Sequence, residues 1–116
     1  MTARIHRNRD FFESLLNCTK KQRDKKVKAA TKDNIDALSE AALNTLKGNV
    51  PLGSKLKTKL KRHCARIRNL AHKRISRRKK KVLLVQQGGF LPLLIPAVLT
   101  AIGSLAARAI GKAAGL

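Results

Sequence analysis

Residues 81–96 have the sequence KVLLVQQGGFLPLLIP and join two segments of very different chemistry. Half of the residues from Ser54 to Lys81 are Lys or Arg, whereas residues 82–107 carry no charge. The pair Gly88-Gly89 lies at the junction, where glycine allows a flexible or extended backbone. The stretch therefore predicts polyanion binding before the junction and contact with a membrane or a protein core after it.

The charge of the chain is large and unevenly placed. The 116 residues carry a formal net charge of +21 at pH 7, and all six carboxylates fall within the first 40 residues. Residues 41–116 hold 17 of the 27 Lys and Arg residues and no acid. Because such a segment repels itself until counter-charges neutralise it, we expect a polyanionic partner, either nucleic acid or an anionic membrane.

Helical periodicity predicts an all-α chain with a helical hairpin over about residues 33–73. The first helix of the hairpin covers residues 33–47, with Thr31 or Asp33 as its N-cap and Gly48 as a left-handed stop. The second helix begins near Ser54 and ends near Arg74. The apolar positions that would close the hairpin are Ile35, Leu38, Ala42 and Leu46 on one side and Leu56, Leu60 and Ile67 on the other.

The chain divides into three predicted parts. Residues 1–75 form a small basic helical region, residues 76–89 form a basic linker that contains the glycine pair, and residues 90–116 form a hydrophobic tail. The basic block 76–81 has five consecutive cations after Ser76, which repel one another. We therefore expect this block to be disordered until it is bound.

The predicted nucleic-acid contacts come from the basic half of the chain. An aromatic platform for bases and a zinc finger are both missing from the sequence, so binding is expected to go through phosphates without sequence preference. The candidate residues are Lys55, Lys57, Lys59, Lys61, Arg62, Arg66, Arg68, Lys73, Arg74, Arg77, Arg78, Lys79, Lys80 and Lys81.

The tail is predicted to be an amphipathic helix that lies in a membrane interface. Its 18 uncharged residues, 90–107, would only just span a bilayer, and polar residues recur every fourth position from Thr100. Pro92 and Pro96 are expected to bound the helix on its N-terminal side. The candidate tail residues are Leu91, Leu93, Leu94, Ile95, Val98, Leu99, Ile102, Leu105, Arg108, Ile110 and Lys112. The alternative is a core helix of the folded protein.

The spacing of the potentially catalytic and metal-binding residues in this sequence does not predict a catalytic or metal site. The carboxylates form no paired arrangement, and the neighbours His63 and Cys64 would point about 100° apart on a helix. The spacing of His63, Cys64 and His72 does not fit a zinc site. We therefore predict a protein that is not an enzyme, needs no cofactor or metal, and keeps Cys18 and Cys64 as free thiols.

The segment GGFLPLLIP at residues 88–96, followed by Ala101-Ile102-Gly103, resembles the C-terminal part of the adenovirus core protein X precursor, the source of the mu peptide. In that family a short basic DNA-condensing peptide precedes a Gly-Gly and a hydrophobic tail, and the same order stands here. The likeness covers roughly residues 76–105. The helical, Lys-rich first 75 residues are instead similar to small basic proteins of adintoviruses, also called Maverick or Polinton elements.

The resemblance implies a late virion core protein that condenses double-stranded DNA in the host nucleus. It also implies a viral cysteine protease that cuts between Gly89 and Phe90, although Gln86 stands where the family's cleavage pattern has an apolar residue. Capsid proteins and an anionic membrane are the further partners expected for the tail.

Two other functions fit parts of the sequence. A precursor of a cationic membrane-lytic peptide would explain the tail. The free thiols argue against secretion, and so does the N-terminus, whose basic residues are not followed by the apolar stretch of a secretory signal. An RNA-binding basic protein would explain the charge but would leave the GGFLPLLIP segment without a role.

Overall fold

The computed structural model describes residues 3–103, and within that range the all-α prediction is confirmed. Short connections join the helices, and a 3₁₀ turn at Gly88–Phe90 separates the last two. The helices are α1 (Ala3–Arg7), α2 (Arg9–Ser14), α3 (Lys20–Lys28), α4 (Lys32–Leu46), α5 (Ser54–Lys61), α6 (Cys64–Ala71), α7 (Arg77–Gln87) and α8 (Leu91–Gly103).

Helix α4 is central to the fold and packs against α1, α6, α7 and α8. Its ends follow the sequence signals. The Thr31 side chain accepts a hydrogen bond from the backbone N–H of Asn34, whose side chain accepts one from the backbone N–H of Thr31, which makes a capping box. At the other end Gly48 adopts a φ of 82°, the left-handed conformation expected of a glycine stop.

The hairpin forms, but its second arm is bent. Helices α4 and α6 pack closely, and Ile35, Leu38 and Ile67 are fully buried between the elements of the core. The predicted single helix from Ser54 to about Arg74 is wrong, because it is interrupted at residues 62–63 and becomes α5 and α6. The interruption lets α5 turn away and pack against α8, with Leu60 buried. The apolar period runs on unbroken across this bend, so the sequence gives no sign of it.

The predicted disorder of residues 76–81 is also wrong, because these residues begin α7. The hydroxyl of Ser76 accepts the backbone N–H of Lys79 at 3.2 Å and so caps the helix. Helix α7 then packs against α3, α4 and α6. Self-repulsion in the basic block does not unfold it, because neighbouring elements supply a carboxylate and several oxygen acceptors to its cations.

The described part of the tail is a core helix in this structure. Leu91, Leu94, Ile95 and Val98 are at most 1% exposed, and α8 packs against α2, α4 and α5. For residues 91–103 the structure therefore has the alternative, a core helix, rather than an interfacial helix. Pro92 lies in the first turn of α8 as expected, whereas Pro96 lies inside the helix rather than bounding it. Leu105, Arg108, Ile110 and Lys112 lie outside the described residues.

Candidate nucleic-acid interface

The 14 candidate cations are spread over α5, α6, the connection after α6, and the start of α7. Ten of them are exposed: Lys55, Lys59, Lys61, Arg62, Arg68, Lys73, Arg74, Arg77, Arg78 and Lys79. Lys57, Arg66 and Lys81 are half-buried, and Lys80 is buried at 6% exposure. The structure therefore divides a set that the sequence treated as uniform.

Three cations of α7 are engaged inside the protein. Arg77 donates to Asp36 from Nε at 2.9 Å and from a terminal nitrogen at 2.8 Å, which is the two-pronged geometry of a strong arginine–carboxylate pair. Lys80 Nζ donates to Ser39 Oγ at 2.9 Å. Lys81 Nζ donates to the backbone oxygens of Lys28 and Ala30 at 3.0 and 2.8 Å. These bonds fasten α7 to α4 and to the end of α3.

The titration of this contact follows from its geometry. The hydrogen bond from Arg77 holds the pKa of Asp36 below its ordinary value, and the same pairing raises the pKa of Arg77. Burial lowers the pKa of Lys80, since a desolvated ammonium is disfavoured, although the nearby Asp36 opposes this effect. Lys80 is thus part of the protein interior, whereas Arg77 is exposed but is occupied by the carboxylate of Asp36.

Arg66 is partly engaged as well. Its Nε donates to the side-chain oxygen of Gln87 at 3.3 Å, and a terminal nitrogen lies 2.9 Å from Nδ1 of His63. The ring of His63 in turn lies 6.1 Å from the ring of Phe90, measured between centroids. Arg66 therefore links α6 to the junction between α7 and α8.

The carboxylates of α4 neutralise cations that come from both ends of the sequence. Asp33 pairs with Arg4 and Arg7 of α1 at 3.2 and 3.0 Å, and Glu40 pairs with Arg4 at 2.6 Å. The pKa of Asp33 is lowered, chiefly by a hydrogen bond from the Asn8 side chain and then by Arg7. With Asp36 on Arg77, one face of α4 holds α1 and α7 by ion pairs.

Sequence reasoning missed this use of the acids, although a signal for it was present. Asp33, Asp36 and Glu40 recur at spacings of three and four residues, which places them on one side of a helix. Two further carboxylates pair locally, Glu13 with Arg9 at 3.0 Å and Asp24 with Lys20 at 2.8 Å. Five of the six carboxylates are thus ion-paired with Lys or Arg side chains of the same protein.

Ten candidate cations are left, and seven of them form two groups that we name by their helices. Lys57, Lys61 and Arg68 belong to neither group. The α5 group consists of Lys55, Lys59 and Arg62, which line a shallow cleft together with Ser54 and Thr58. The α7 group consists of Lys73, Arg74, Arg78 and Lys79, which lie on the connection after α6 and in the first turn of α7. Neither group contains a residue whose side chain is hydrogen-bonded or ion-paired within residues 3–103.

The glycine junction does not offer the extended backbone that the protease expectation requires. Gly88 and Gly89 lie in the 3₁₀ turn, and Phe90 is fully buried. Gly88 is itself buried, and a Cβ added to it would lie 3.6 Å from Nε of Arg23. In this fold the bond between Gly89 and Phe90 is not presented as an open strand.

The apolar run from α7 into α8 meets the requirements of a membrane span by length and composition alone. Residues Arg77–Gly103 form a helical stretch of 27 residues, and 44% of its most apolar window is buried inside the protein. The core helix of a soluble protein meets the same requirements, so this finding carries little weight. Among residues 3–103 no group of three or more His, Cys, Asp or Glu side chains could hold a metal ion. Both cysteines are free and half-buried.

Comparison of the chain with protein-family models, with curated proteins and with solved structures gives no match.

Proposed function

We propose that this chain binds and condenses double-stranded DNA through contacts between its Lys and Arg side chains and phosphates, without sequence preference. The observation that carries the proposal is the division of the charges. Five of the six acids are paired with cations of α1, α2, α3 and α7, whereas the α5 and α7 groups have no carboxylate partner within residues 3–103. A surface of this kind attracts a polyanion and releases its counterions on binding.

The number of available cations sets an upper limit on the salt dependence of DNA binding. Of the 14 candidates, Arg66, Arg77, Lys80 and Lys81 are engaged in the protein, which leaves ten cations for phosphates. If every one of them met a phosphate, the logarithm of the binding constant would fall with the logarithm of salt with a slope of about −9. A smaller value is expected for a single duplex, because the ten cations lie on three helices and a connection.

Condensation follows from the same distribution. A protein that presents cations from separate helices contacts phosphates of more than one duplex and holds the duplexes together while it neutralises them. The role in a virion core, in the host nucleus, with capsid proteins and a viral protease as partners, rests on the resemblance to the core protein X precursor. Duplex RNA carries the same phosphate charge, so it is included as an arm of the test.

The test is a filter-binding series over a range of salt concentrations with two unrelated duplex DNAs and a duplex RNA. Similar affinities for both DNAs and a slope between about −5 and −9 are expected. A slope shallower than about −3, or a strong preference for one DNA sequence, would contradict the proposal. Tighter binding to RNA than to DNA at every salt concentration would favour the RNA-binding function instead.

The membrane role of the tail is a separate proposal, and the packing of α8 in the core sets a condition for it. Leu94 and Val98 are fully buried, so α8 can enter an anionic bilayer only if it leaves the core. Dye leakage from anionic vesicles tests this for the full chain and for Leu94→Lys with Ile102→Lys. Leakage by the full chain that is lost in the double variant would support insertion, and negligible leakage by both would remove the membrane from the list of partners.

A further inference from the structure

Ser76 lies at an accessible position between α6 and α7. It is exposed, its backbone is extended with a φ of −66° and a ψ of 156°, and it ends the connection that begins at His72. The backbone of His72 is extended as well, with a φ of −72° and a ψ of 123°. Between these two residues lies a turn, in which the backbone N–H of Ile75 donates to the carbonyl oxygen of His72 at 3.2 Å. An enzyme that modifies a side chain in an extended segment can approach the Ser76 hydroxyl once this short turn and the first turn of α7 open.

The residues before Ser76 carry a recognition pattern. Lys73 and Arg74 stand three and two positions before the serine, and both are exposed. Protein kinases choose substrates by charge patterns around the hydroxyl, and basophilic serine/threonine kinases select cations at these two positions. The other exposed serine at the start of a basic helix, Ser54, follows Leu52 and Gly53 and has no such cations.

The surroundings of Ser76 suit a phosphate group. Ser76 lines a cleft of about 370 Å³ that is also lined by the cations of Arg4, Lys73, Arg77 and Lys80. Two carboxylates, Asp36 and Glu40, line it too and are paired with Arg77 and Arg4 of the same cleft. The lining therefore keeps a surplus of positive charge, to which Lys73 contributes without a carboxylate partner within residues 3–103. A phosphate on Ser76 would also stand at the N-terminus of α7, an eleven-residue helix whose dipole favours negative charge there.

We propose that Ser76 is a phosphorylation site for a basophilic serine/threonine kinase and that its phosphorylation weakens the binding of DNA. The second half rests on the proposed DNA-binding function. A phosphate adds about −2 charge at neutral pH next to Lys73, Arg74, Arg78 and Lys79, which are the whole α7 group. The modification neutralises cations that DNA phosphates would otherwise meet.

The reaction is a phosphoryl transfer from ATP. The Ser76 oxygen forms a bond to the γ-phosphorus while the bond from that phosphorus to the β–γ bridging oxygen breaks, and ADP leaves. The hydroxyl proton passes to the catalytic base of the kinase. The modified oxygen keeps lone pairs that can accept the backbone N–H of Lys79, so the cap of α7 is preserved.

The experiment treats the full chain with the catalytic domain of a basophilic kinase and ATP, and counts phosphates by intact mass and peptide mapping. Wild type and Ser54→Ala are expected to gain one phosphate at Ser76, whereas Ser76→Ala gains none there. Because Ser76→Ala also removes a helix cap, the variant Lys73→Gln with Arg74→Gln is included. It keeps the serine and its cap, and it is expected to lose most of the incorporation.

Filter binding of the separated phosphorylated and unmodified chains then tests the effect on DNA. The phosphorylated chain is expected to bind duplex DNA about tenfold more weakly or worse, with a salt slope shallower by about 2. Absence of phosphate at Ser76 in wild type and Ser54→Ala would overturn the site. Equal DNA binding by both forms would overturn the regulation. If the unmodified chain fails to bind DNA, the proposed function fails, while the mass measurement still decides the site.

Discussion

Helix α5 and the start of α7 have similar sequences and different roles. Residues 55–62 contain five cations and residues 77–81 contain five more. On α5 the α5 group lines an open cleft, with no hydrogen-bond or ion-pair partner for its side chains within residues 3–103. On α7, Arg77, Lys80 and Lys81 are bound to Asp36, to Ser39 and to two backbone carbonyls.

The difference shows that a count of cations does not measure an interface. What decides the role of each cation is whether an acceptor from another helix lies within its reach. Asp36 and Ser39 of α4 reach α7, and the last carbonyls of α3 reach Lys81. Arg77, Lys80 and Lys81 of α7 therefore stabilise the protein, while the α5 group remains available for a partner.

The largest expected effect is that of Leu60→Asp, which should unfold the protein and so disrupt both α5 and α7. Leu60 is fully buried and anchors α5, so the variant would bury an unpaired carboxylate at a cost of about 3–5 kcal/mol. The circular dichroism signal and the cooperative melting transition should both be lost. Leu46→Asp is the matched variant, and it should be milder because Leu46 is only half-buried. Equal, unchanged melting of the two variants would contradict the packing of α5.

Removal of the α5 group should be the largest effect on DNA binding that leaves the fold intact. The triple variant Lys55→Ala, Lys59→Ala, Arg62→Ala should weaken binding about a hundredfold near physiological salt and make the slope shallower by about 2.7. The melting temperature should stay close to that of wild type, since alanine favours helix. The control removes the same charge from exposed positions of α3 at Lys21, Lys25 and Lys28. A control that weakens binding as much would mean that net charge, rather than this surface, binds DNA.

The neighbours Arg77 and Arg78 give a sharper comparison within α7. Arg77→Ala should lower the free energy of unfolding by a small, measurable amount through loss of its pair with Asp36, with little effect on DNA binding. Arg78→Ala should leave stability unchanged and reduce DNA affinity by about fivefold, the loss of one phosphate contact. Chemical denaturation and filter binding of both variants check this, and the reverse pattern would contradict the assignment of the two side chains.

The smallest effect concerns acid stability. The pKa of Asp36 is lowered from 3.8 in the folded chain, so its pairing contributes stability that is present above that value and is lost as the pH falls through the folded pKa. Asp36→Asn should remove this part of the acid dependence and should lower the melting temperature slightly at neutral pH. Thermal melts from neutral to strongly acidic pH measure it. An acid dependence of the same size in both proteins would show that the pair does not titrate as the geometry implies.

Local signals in the sequence predicted the parts of the fold that local forces determine. Thr31 caps α4 and Gly48 ends it, because a cap and a left-handed stop need only their immediate neighbours. The start of α7 could not be predicted in this way. Its cations are held by Asp36 and Ser39, which lie 41 residues away in sequence from Arg77 and Lys80 respectively.

Contacts between residues that are distant in sequence also explain why the tail and the candidate site could be predicted only in part. The apolar face of α8 fits a membrane or a core equally well, and only the arrangement of α2, α4 and α5 around it decides between the two for residues 91–103. The basic residues were found from charge alone, since composition does not depend on the fold. Which of them stay free depends on contacts between distant helices, and no pattern within residues 54–81 reports those contacts.

The 3₁₀ turn at the glycine junction has a consequence for the timing of any cleavage there. A protease that needs an extended strand at Gly89–Phe90 must wait until the 3₁₀ turn opens and Phe90 leaves the core. When opening and closing are fast relative to cleavage, the rate of cutting is the rate at which the enzyme cuts the open form, reduced by the small fraction of molecules that are open. Any event that loosens α7 or α8 would then determine when cleavage occurs. A newly made chain would be cut far more easily before it folds than after.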